Sequence, residues 1–255
     1  MVFNSIFFIF CFLPVFMLIY YLVPGKLRNL LLFLGSLIFY AWGEPVYVIL
    51  MLFSSIFNYY MGTELERLYY DDRKQKINLI FSIIINLAVL VFFKYYGFLL
   101  NTIGGIIGIH IPHPELSLPI GLSFYTFRNL SYLFDIYLSK VSAQRNFLTF
   151  AVYSTMFPYT SAGPIVRYTD IETQLKQRTI NISRFGIGAE LFVKGLAKKV
   201  LLADNLSVLY SSICGHPQMS VFTSWLGILA YQCSFILTSA VYSDMAIGLG
   251  KNAGI

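Results

Sequence analysis

Long apolar stretches with few or no charged residues recur from one end of the chain to the other, and they restrict the possible folds more than any other feature. A helix that crosses a lipid bilayer needs about 20 consecutive apolar residues. The stretches that meet or approach this length are 2–22, 46–63, 77–93, 116–138, 147–163 and 221–243. The pattern predicts an all-α, polytopic integral membrane protein.

The composition agrees with this prediction. Hydrophobic residues make up 57% of the chain and charged residues 12%, whereas soluble domains contain about 25% charged residues. The apolar stretches leave no room for a separate soluble domain, so we predict a single membrane domain over 1–255. The net charge of +6 comes from basic residues in short connections, where topology and anionic lipid account for them. The predicted partner is therefore a lipid bilayer and not a nucleic acid.

The order of the stretches suggests an orientation. The first stretch, 2–22, is too long and too aromatic for a signal peptide, and we interpret it as a retained span. The stretch 30–43 is short, and it is either a thin span or part of a re-entrant hairpin. If it crosses, the basic connections 23–29 and 64–76 lie on one side, which the positive-inside rule makes cytoplasmic. The expected location is the inner (cytoplasmic) membrane, crossed several times, with the N-terminus outside.

The cysteines give no sign of a metal or redox site. Cys11, Cys214 and Cys233 are widely separated and lie in or beside apolar stretches, so we predict that they are small buried hydrophobic residues. No metal site is predicted anywhere in the chain.

Polar residues repeat every four positions in the stretch 77–93. Asn78, Ser82 and Asn86 therefore form one stripe on one helix face. Because a polar group in hydrocarbon must find a partner, we expect this face to point inward and to hydrogen-bond another helix.

Two charges lie inside the stretch 116–138. Arg128 and Asp135 are seven residues apart, so they lie on nearly the same helix face but are separated by about 10 Å of rise. That is too far for a compact ion pair without water, another residue or a bend at 119–121. Pairing with other helices and lining of a substrate path both remain open, and both place this face inside.

The sequence SAGPIVRYTD, 161–170, follows an uncharged run. Gly163 and Pro164 end the helical stretch because glycine relaxes the backbone and proline cannot continue the hydrogen-bond ladder. Irregular backbone at that depth must line protein or a wet cavity. We therefore predict that Arg167 and Tyr168 face the rim of a pocket, with an interfacial snorkelling arginine as the alternative.

Residues 185–206 have the pattern of an amphipathic helix. Glu190, Lys194 and Lys198 repeat every four positions, while apolar residues fill another face. The charged face is either solvated or contacts the phosphates of a cytoplasmic donor.

Several blocks together resemble one family, the membrane-bound O-acyltransferases (MBOAT), and within it the bacterial alginate O-acetylase group. The blocks are LPIGLSFYTFRNLSYLFDIY (118–137), AGPIVRYTDIETQL (162–175), LFVKGLAKKVLLADNL (191–206) and YSDMAIGLG (242–250). The resemblance implies an MBOAT-type helical funnel. It also implies transfer of an acyl group, usually acetyl, from a cytoplasmic thioester such as acetyl-CoA to hydroxyls of an extracellular polysaccharide. The thioester is a co-substrate, and no bound cofactor is implied.

The resemblance also implies site residues and partners. The residues expected to line or brace the donor and acceptor paths are Arg128 with Asp135, Arg167 with Tyr168, and Ser243 with Asp244, and Gly163 and Pro164 form a structural motif. The implied partners are a polysaccharide synthase complex and an extracytoplasmic hydrolase-like acetyltransferase.

The family's general base is a histidine in an Arg-Trp-His block that follows YSDMAIGLG. The sequence ends at Ile255, soon after that motif, so we expect an N-terminal portion whose funnel is incomplete and which lacks the catalytic portion. His110, His113 and His216 lie in loop-like stretches and are not expected to replace the base. No catalytic residue is therefore assigned.

Some positions depart from the family pattern. Arg128 and Tyr159 stand where glutamine is usual, Thr238 replaces an aspartate, and Val241 replaces a glycine. These differences bear on donor fit and catalytic competence, and they are typical of a divergent subgroup or of weakened constraint. The alternatives are a non-catalytic scaffold of an exopolysaccharide complex and, less favoured because 1–127 and 128–255 show no internal repeat, a transporter.

Overall fold

The computed structural model describes residues 5–108, 117–160, 163–178, 181–216 and 220–255, and within them every regular element is a helix. The helices are α1 (Leu13–Leu22), α2 (Arg28–Gly43), α3 (Val48–Arg67), α4 (Asp72–Ile107), α5 (Leu122–Tyr137), α6 (Phe147–Thr155), α7 (Phe157–Thr160), α8 (Tyr168–Lys176), α9 (Ile182–Lys198), α10 (Asp204–Cys214) and α11 (Val221–Ala253). A π-helical turn, Phe8–Phe12, precedes α1, and a second, Lys199–Ala203, joins α9 to α10. The all-α prediction is confirmed.

Three of these helices, α3, α4 and α11, are long and apolar enough to cross a membrane, and Phe8–Leu22 is a shorter apolar helix. The helices α4 and α11 extend well beyond the predicted stretches 77–93 and 221–243. In contrast, in the described part of the predicted stretch 116–138, which begins at residue 117, α5 starts only at Leu122, and its N-cap Gly121 is in the left-handed region with φ of 77°. The prediction of a membrane protein is confirmed.

Contacts between the helices divide the chain into two compact units. The terminal unit is Met1–Gly25, Ala162–Pro164 and Thr173–Ile255, and the central unit is Lys26–Ser161 and Ile165–Glu172. A single membrane domain over 1–255 stays a prediction.

The polar stripe of α4 pairs with α3 in the central unit. The side-chain amides of Asn58 and Asn86 donate to each other at 3.0 and 2.9 Å, and each also donates to the carbonyl oxygen one helical turn back, that of Ser54 or Ser82, at 2.8 Å. Asn58 and Asn86 are both buried. The predicted helix–helix hydrogen bond is confirmed for Asn86, whereas Ser82 is buried and donates to the Asn78 carbonyl of its own helix, and Asn78 is only partly buried.

Two ends of the central unit can be recognised from contacts between connections. The Arg145 guanidinium binds Glu66 at 2.5 Å, which joins the connection after α5 to the end of α3. Tyr47, before α3, donates its hydroxyl to the carbonyl of Ser117, before α5, at 3.3 Å. The helices α3 and α5 therefore run in the same direction. The helix α4 runs opposite to α3, because Gln75 binds the carbonyl of Leu65 and the later Asn86 binds the earlier Asn58. Which end is cytoplasmic stays a prediction.

In the terminal unit, α9 packs along α11 at glycine positions. A Cβ atom added to Gly188 would lie 2.6 Å from the Gly248 carbonyl oxygen and would overlap the side-chain oxygen of Asn252. At Gly195 an added Cβ would lie 2.8 Å from Cγ of Met245. Small residues at such positions let helix backbones approach closely in membranes. The amphipathic helix predicted at 185–206 is thus packed along another helix.

The end of α1 fastens the end of α11 in the same unit. The Tyr20 and Tyr21 hydroxyls donate to the carbonyls of Ala253 and Asn252, each at 2.6 Å. Arg178 in turn donates to the Tyr20 hydroxyl at 3.0 Å.

The prediction that the cysteines are buried is wrong: Cys11, Cys214 and Cys233 are all exposed. The helix faces around them carry exposed apolar residues such as Phe10 and Phe235. In a bilayer such faces contact hydrocarbon, so an apolar residue in a membrane helix does not have to be in the protein interior.

A first prediction concerns the asparagine pair. Asn58→Leu leaves the Asn86 amide buried without its partner, so we expect a loss of about 1–3 kcal/mol in the free energy of unfolding. The double variant Asn58→Leu/Asn86→Leu should lose less than the sum of the two single variants. Unfolding in mixed detergent measures this, with Asn101→Leu on an exposed position of α4 as control. Strictly additive losses would contradict the pairing.

A second prediction concerns the glycine contact. Gly188→Ala forces α9 and α11 apart, and overpacking of this kind costs about 1–3 kcal/mol. Gly186→Ala, two residues away with nothing within 4 Å of the added Cβ, should be neutral or stabilising by up to about 1 kcal/mol because alanine favours the helix. Thermal unfolding of both purified variants provides the comparison, and equal unfolding temperatures would argue against close packing.

Candidate functional site

Arg128 lies on α5 in the central unit and is only 1% exposed. Its Nη1 donates to the carbonyl oxygens of Tyr153 and Ser154 at 3.1 and 3.2 Å, and its Nη2 donates to that of Tyr159 at 2.5 Å. The guanidinium also faces the Tyr159 ring, 5.8 Å from its centroid. Arg128 thus contacts the backbone of α6 and α7, and its side chain does not reach the surface.

Asp135 lies on the same helix and is also buried. Neither Asp135 nor Arg128 forms an ion pair within the described part of the chain, and Asp135 Oδ2 and Arg128 Nε are buried there without a hydrogen-bond partner. The structure therefore favours contacts of Arg128 with other helices over a direct Arg128–Asp135 pair, as the separation predicted from the sequence indicates.

Arg167 and Tyr168 occupy different surroundings although they are adjacent. Tyr168 is buried between the rings of Tyr132 and Tyr153, at centroid distances of 5.1 and 5.2 Å, and its hydroxyl accepts a hydrogen bond from the Gln144 side chain at 2.6 Å. Burial raises the pKa of the Tyr168 phenol to about 12, so it stays neutral at physiological pH. Arg167 is exposed. Tyr168 is therefore packed inside the protein and does not face a pocket rim, while the position of Arg167 at such a rim stays a prediction.

The segment 163–167 is not helical. The preceding helix ends at Thr160, α8 begins at Tyr168, Gly163 is buried and Pro164 is partly exposed. The sequence predicted that the helical stretch ends at Gly163 and Pro164, and both residues are non-helical in the structure. Ala162 lies outside the described residues.

Ser243 and Asp244 lie on α11 in the terminal unit. The Lys198 ammonium binds Asp244 Oδ2 at 2.8 Å, with side chains 52% and 33% exposed. Ser243 donates its hydroxyl to the carbonyl of Ser239 at 3.0 Å. The sequence placed Lys198 on a charged face but did not identify Asp244 as its partner, because the two are far apart in the chain.

The neighbouring lysine has its own partner. Lys199 binds Asp204 at 2.8 Å across the π-helical turn and lies 3.5 Å from the Thr238 hydroxyl. Glu190 and Lys194 form the ion pair expected from their spacing, at 2.6 Å, and the bond from Lys194 holds the pKa of the Glu190 carboxyl below its ordinary value.

The candidate residues thus fall into two groups. Arg128, Asp135, Arg167 and Tyr168 belong to the central unit, and Gly163, Pro164, Ser243 and Asp244 belong to the terminal unit. His216 is exposed in a loop, while His110 and His113 lie outside the described residues. Within the described ranges, no group of three or more His, Cys, Asp or Glu side chains could hold a metal ion.

Each unit also contains a cavity away from these residues. A cleft of about 410 Å³ in the central unit lies between the end of α3 and the connection after α5, and its lining includes Glu66, Tyr70 and Lys140. A cavity of about 230 Å³ in the terminal unit lies between α1, α9 and α11, and only Asn252 in its lining is polar.

Comparison with known proteins tests the resemblance seen in the sequence. The chain is 37% identical over 258 aligned residues to the probable alginate O-acetylase AlgI of Pseudomonas aeruginosa, which covers 100% of this chain and 50% of that protein. The chain is thus similar over its whole length to the alginate O-acetylase group of membrane-bound O-acyltransferases. It is also 36% identical to AlgI of Azotobacter vinelandii, covering 52% of it, and 30% identical to a peptidoglycan O-acetyltransferase of Helicobacter pylori, covering 54%. No protein-family model matches the chain.

The resemblance to alginate O-acetylases predicted from the sequence is therefore confirmed, and it extends over the full chain. The chain spans about half the length of the curated relatives it matches. The activity, substrates and partners of a whole O-acetylase are accordingly proposals for this chain.

A third prediction concerns the Lys198–Asp244 pair in this O-acetylase-like chain. Asp244→Lys places two cations together and should lower the free energy of unfolding by about 0.5–1 kcal/mol, because the pair is partly exposed. The exchanged pair Lys198→Asp/Asp244→Lys should recover most of that loss. Thermal unfolding at low and high salt measures it, and a swap no more stable than the single variant would contradict a direct interaction.

Proposed function

We propose that this chain is the N-terminal portion of a membrane O-acetyltransferase. In this proposal an acetyl group passes from a cytoplasmic thioester such as acetyl-CoA to hydroxyls of an extracellular polysaccharide such as an alginate-like polymer. The protein lies in the inner membrane and crosses it several times. It works beside a polysaccharide synthase complex and an extracytoplasmic hydrolase-like acetyltransferase.

The observation that carries this proposal is the similarity over the full chain to proteins named for one reaction. The relatives are named for alginate in some cases and for peptidoglycan in another, and both names specify O-acetyl transfer to a polymer. The reaction is thus what the relatives share. The alginate-type acceptor is favoured because identity to the alginate O-acetylases is 35–37%, against 30% for the peptidoglycan enzyme.

The candidate residues have different roles in this proposal. Arg167 in the central unit and Asp244 in the terminal unit are exposed or partly exposed charged groups, and we assign each of them to the donor or acceptor path within its own unit. Ser243 is the neighbour of Asp244 in the chain. Arg128, Asp135 and Tyr168 brace the central unit from inside, and Gly163 and Pro164 are a structural motif that precedes Arg167 in the chain. Because the chain spans about half of the relatives' length, we expect residues 1–255 alone not to transfer acetyl groups.

The fourth prediction tests transfer with a chimera. In a Pseudomonas aeruginosa strain without its alginate O-acetylase, the region of that protein matched by this chain is replaced by residues 1–255. We expect acetyl esters to reappear on the secreted polymer, while residues 1–255 alone restore none. Ester content is measured by proton NMR after labelled acetate feeding.

Controls separate the roles and the alternative function. The chimera with Arg167→Ala, Arg128→Ala and Asp244→Ala together should lose at least about tenfold in ester content, equivalent to about 1.4 kcal/mol of lost stabilisation. Full activity of that variant would exclude these residues from the site. A chimera that accumulates in the membrane but leaves the polymer without esters contradicts the proposal. If polymer secretion still depends on that chimera, the result supports the alternative function, a non-catalytic scaffold of an exopolysaccharide complex.

A further inference from the structure

The helix formed by α6 and α7 is interrupted in the middle of the buried central unit. Pro158 has no N–H group, so the carbonyl of Ser154, four residues earlier, loses its helical donor, and a proline ring also collides with that carbonyl in a continuous helix. Met156, between the two helices, has an extended backbone with ψ of 117°. The interruption therefore follows directly from Pro158.

The proline also affects a second carbonyl. The N–H of Phe157 would normally bind the Tyr153 carbonyl, but it donates to the Ser36 hydroxyl at 3.1 Å. A third carbonyl, that of Tyr159, lies in α7, whose described part ends at Thr160. Two backbone acceptors, the carbonyls of Tyr153 and Ser154, thus lose their helical donors at the break.

All residues from 149 to 160 are buried, so water does not replace these donors. Buried backbone carbonyls are nearly always hydrogen-bonded, because leaving them unpaired in an apolar interior is costly. The guanidinium of Arg128 donates to the carbonyls of Tyr153 and Ser154, which are the two acceptors that lose their helical donors, and also to that of Tyr159. Arg128 thus supplies donors to both of the carbonyls that the break leaves without them.

Other carbonyls at the break have local donors. The Met156 carbonyl accepts from the N–H of Tyr159 at 3.1 Å, and the Thr160 hydroxyl lies 3.1 Å from the carbonyl of Thr155 and 2.8 Å from that of Met156. Arg128 binds the carbonyls of Tyr153 and Ser154, which these local donors do not reach. Its positive charge is balanced there without a carboxylate, because the carbonyl end of a helix carries partial negative charge.

The break is connected to the segment that carries Arg167. The Tyr153 hydroxyl lies 3.2 Å from the carbonyl of Arg128 and 3.3 Å from that of Val166. Its ring packs edge-on against Tyr168. Arg128 binds the Tyr153 backbone, and the Tyr153 side chain binds the residues on both sides of Arg167.

We infer that Arg128 is a positioning residue: it fastens the interrupted helix α6–α7 and, through Tyr153, fixes the segment Ile165–Tyr168. The importance of Arg167 for transfer rests on the proposed function, but the positioning does not. In the described part of the chain, the hydrogen bonds of the Arg128 guanidinium all go to backbone carbonyls, and its side chain is buried away from the surface.

The fifth prediction uses hydrogen exchange of the full chain in lipid nanodiscs, without any acyl donor. Arg128→Met should speed exchange of the amides in 165–168 about tenfold, since a buried hydrogen-bonded charge is lost. Arg128→Lys keeps a donor and should restore part of the protection. Arg67→Met removes an exposed arginine of the same unit and should change nothing there.

A double-variant test separates positioning from a general loss of folding. Pro158→Ala gives the Ser154 carbonyl its helical donor back, so Arg128→Met should speed exchange less in that background than in the original chain. Equal effects in the two backgrounds, or unchanged exchange in Arg128→Met, would overturn the inference. If Arg128→Met does not accumulate, Arg128→Gln with and without Pro158→Ala gives the same comparison.

The chimera distinguishes this inference from the proposed function. Arg128→Met in the chimera should lower the ester content, and Arg128→Lys should restore part of it. If the chimera has no activity but exchange responds as expected, the proposed function fails and the positioning role stands. If the chimera is active and exchange in Arg128→Met is unchanged, the function stands and the positioning role fails.

Discussion

Every polar backbone group inside this protein needs a partner from the protein itself, and much of the structure follows from that requirement. Serine and threonine hydroxyls in the central unit donate one turn back along their own helices, as Ser36 does to Leu32 and Thr155 to Ala151. Asparagine amides do the same and still bind across to a second helix. Where proline interrupts a helix, a more distant donor is required, and Arg128 supplies it. Charge in the interior is thus used to complete the backbone.

The same requirement clarifies how the proposed transfer site is arranged. Arg128 and Tyr168 are buried and form hydrogen bonds inside the protein, so they are not accessible to a ligand. Arg167 and Asp244 are at least partly exposed. Within the central unit, the buried groups hold the segment that carries the exposed Arg167. A buried charge in a membrane protein therefore does not by itself identify a substrate contact.

Much of the fold could be predicted from the sequence because it depends on local patterns. Helix content and the inward face of Ser82 and Asn86 follow from apolar length and four-residue spacing. Burial of the cysteines was predicted wrongly, since composition does not distinguish a face toward protein from a face toward lipid. The acceptors of Arg128 and the Lys198–Asp244 contact could not be predicted, because both depend on which helices meet. Moreover, every residue has a backbone carbonyl, so the sequence does not show which carbonyls accept a hydrogen bond from a side chain.

The π-helical turn at Lys199–Ala203 has a consequence for the register of the helices on either side. Each turn of a π-helix holds about one residue more than an α-helical turn, and one residue corresponds to about 100° of rotation. Two lysines adjacent in sequence therefore bind different carboxylates. Lys198 binds Asp244 on α11, and Lys199 binds Asp204 at the start of α10. Deletion of one residue from this turn would leave the Lys198–Asp244 pair in place. It would rotate α10 about its axis and separate Asp204 from Lys199.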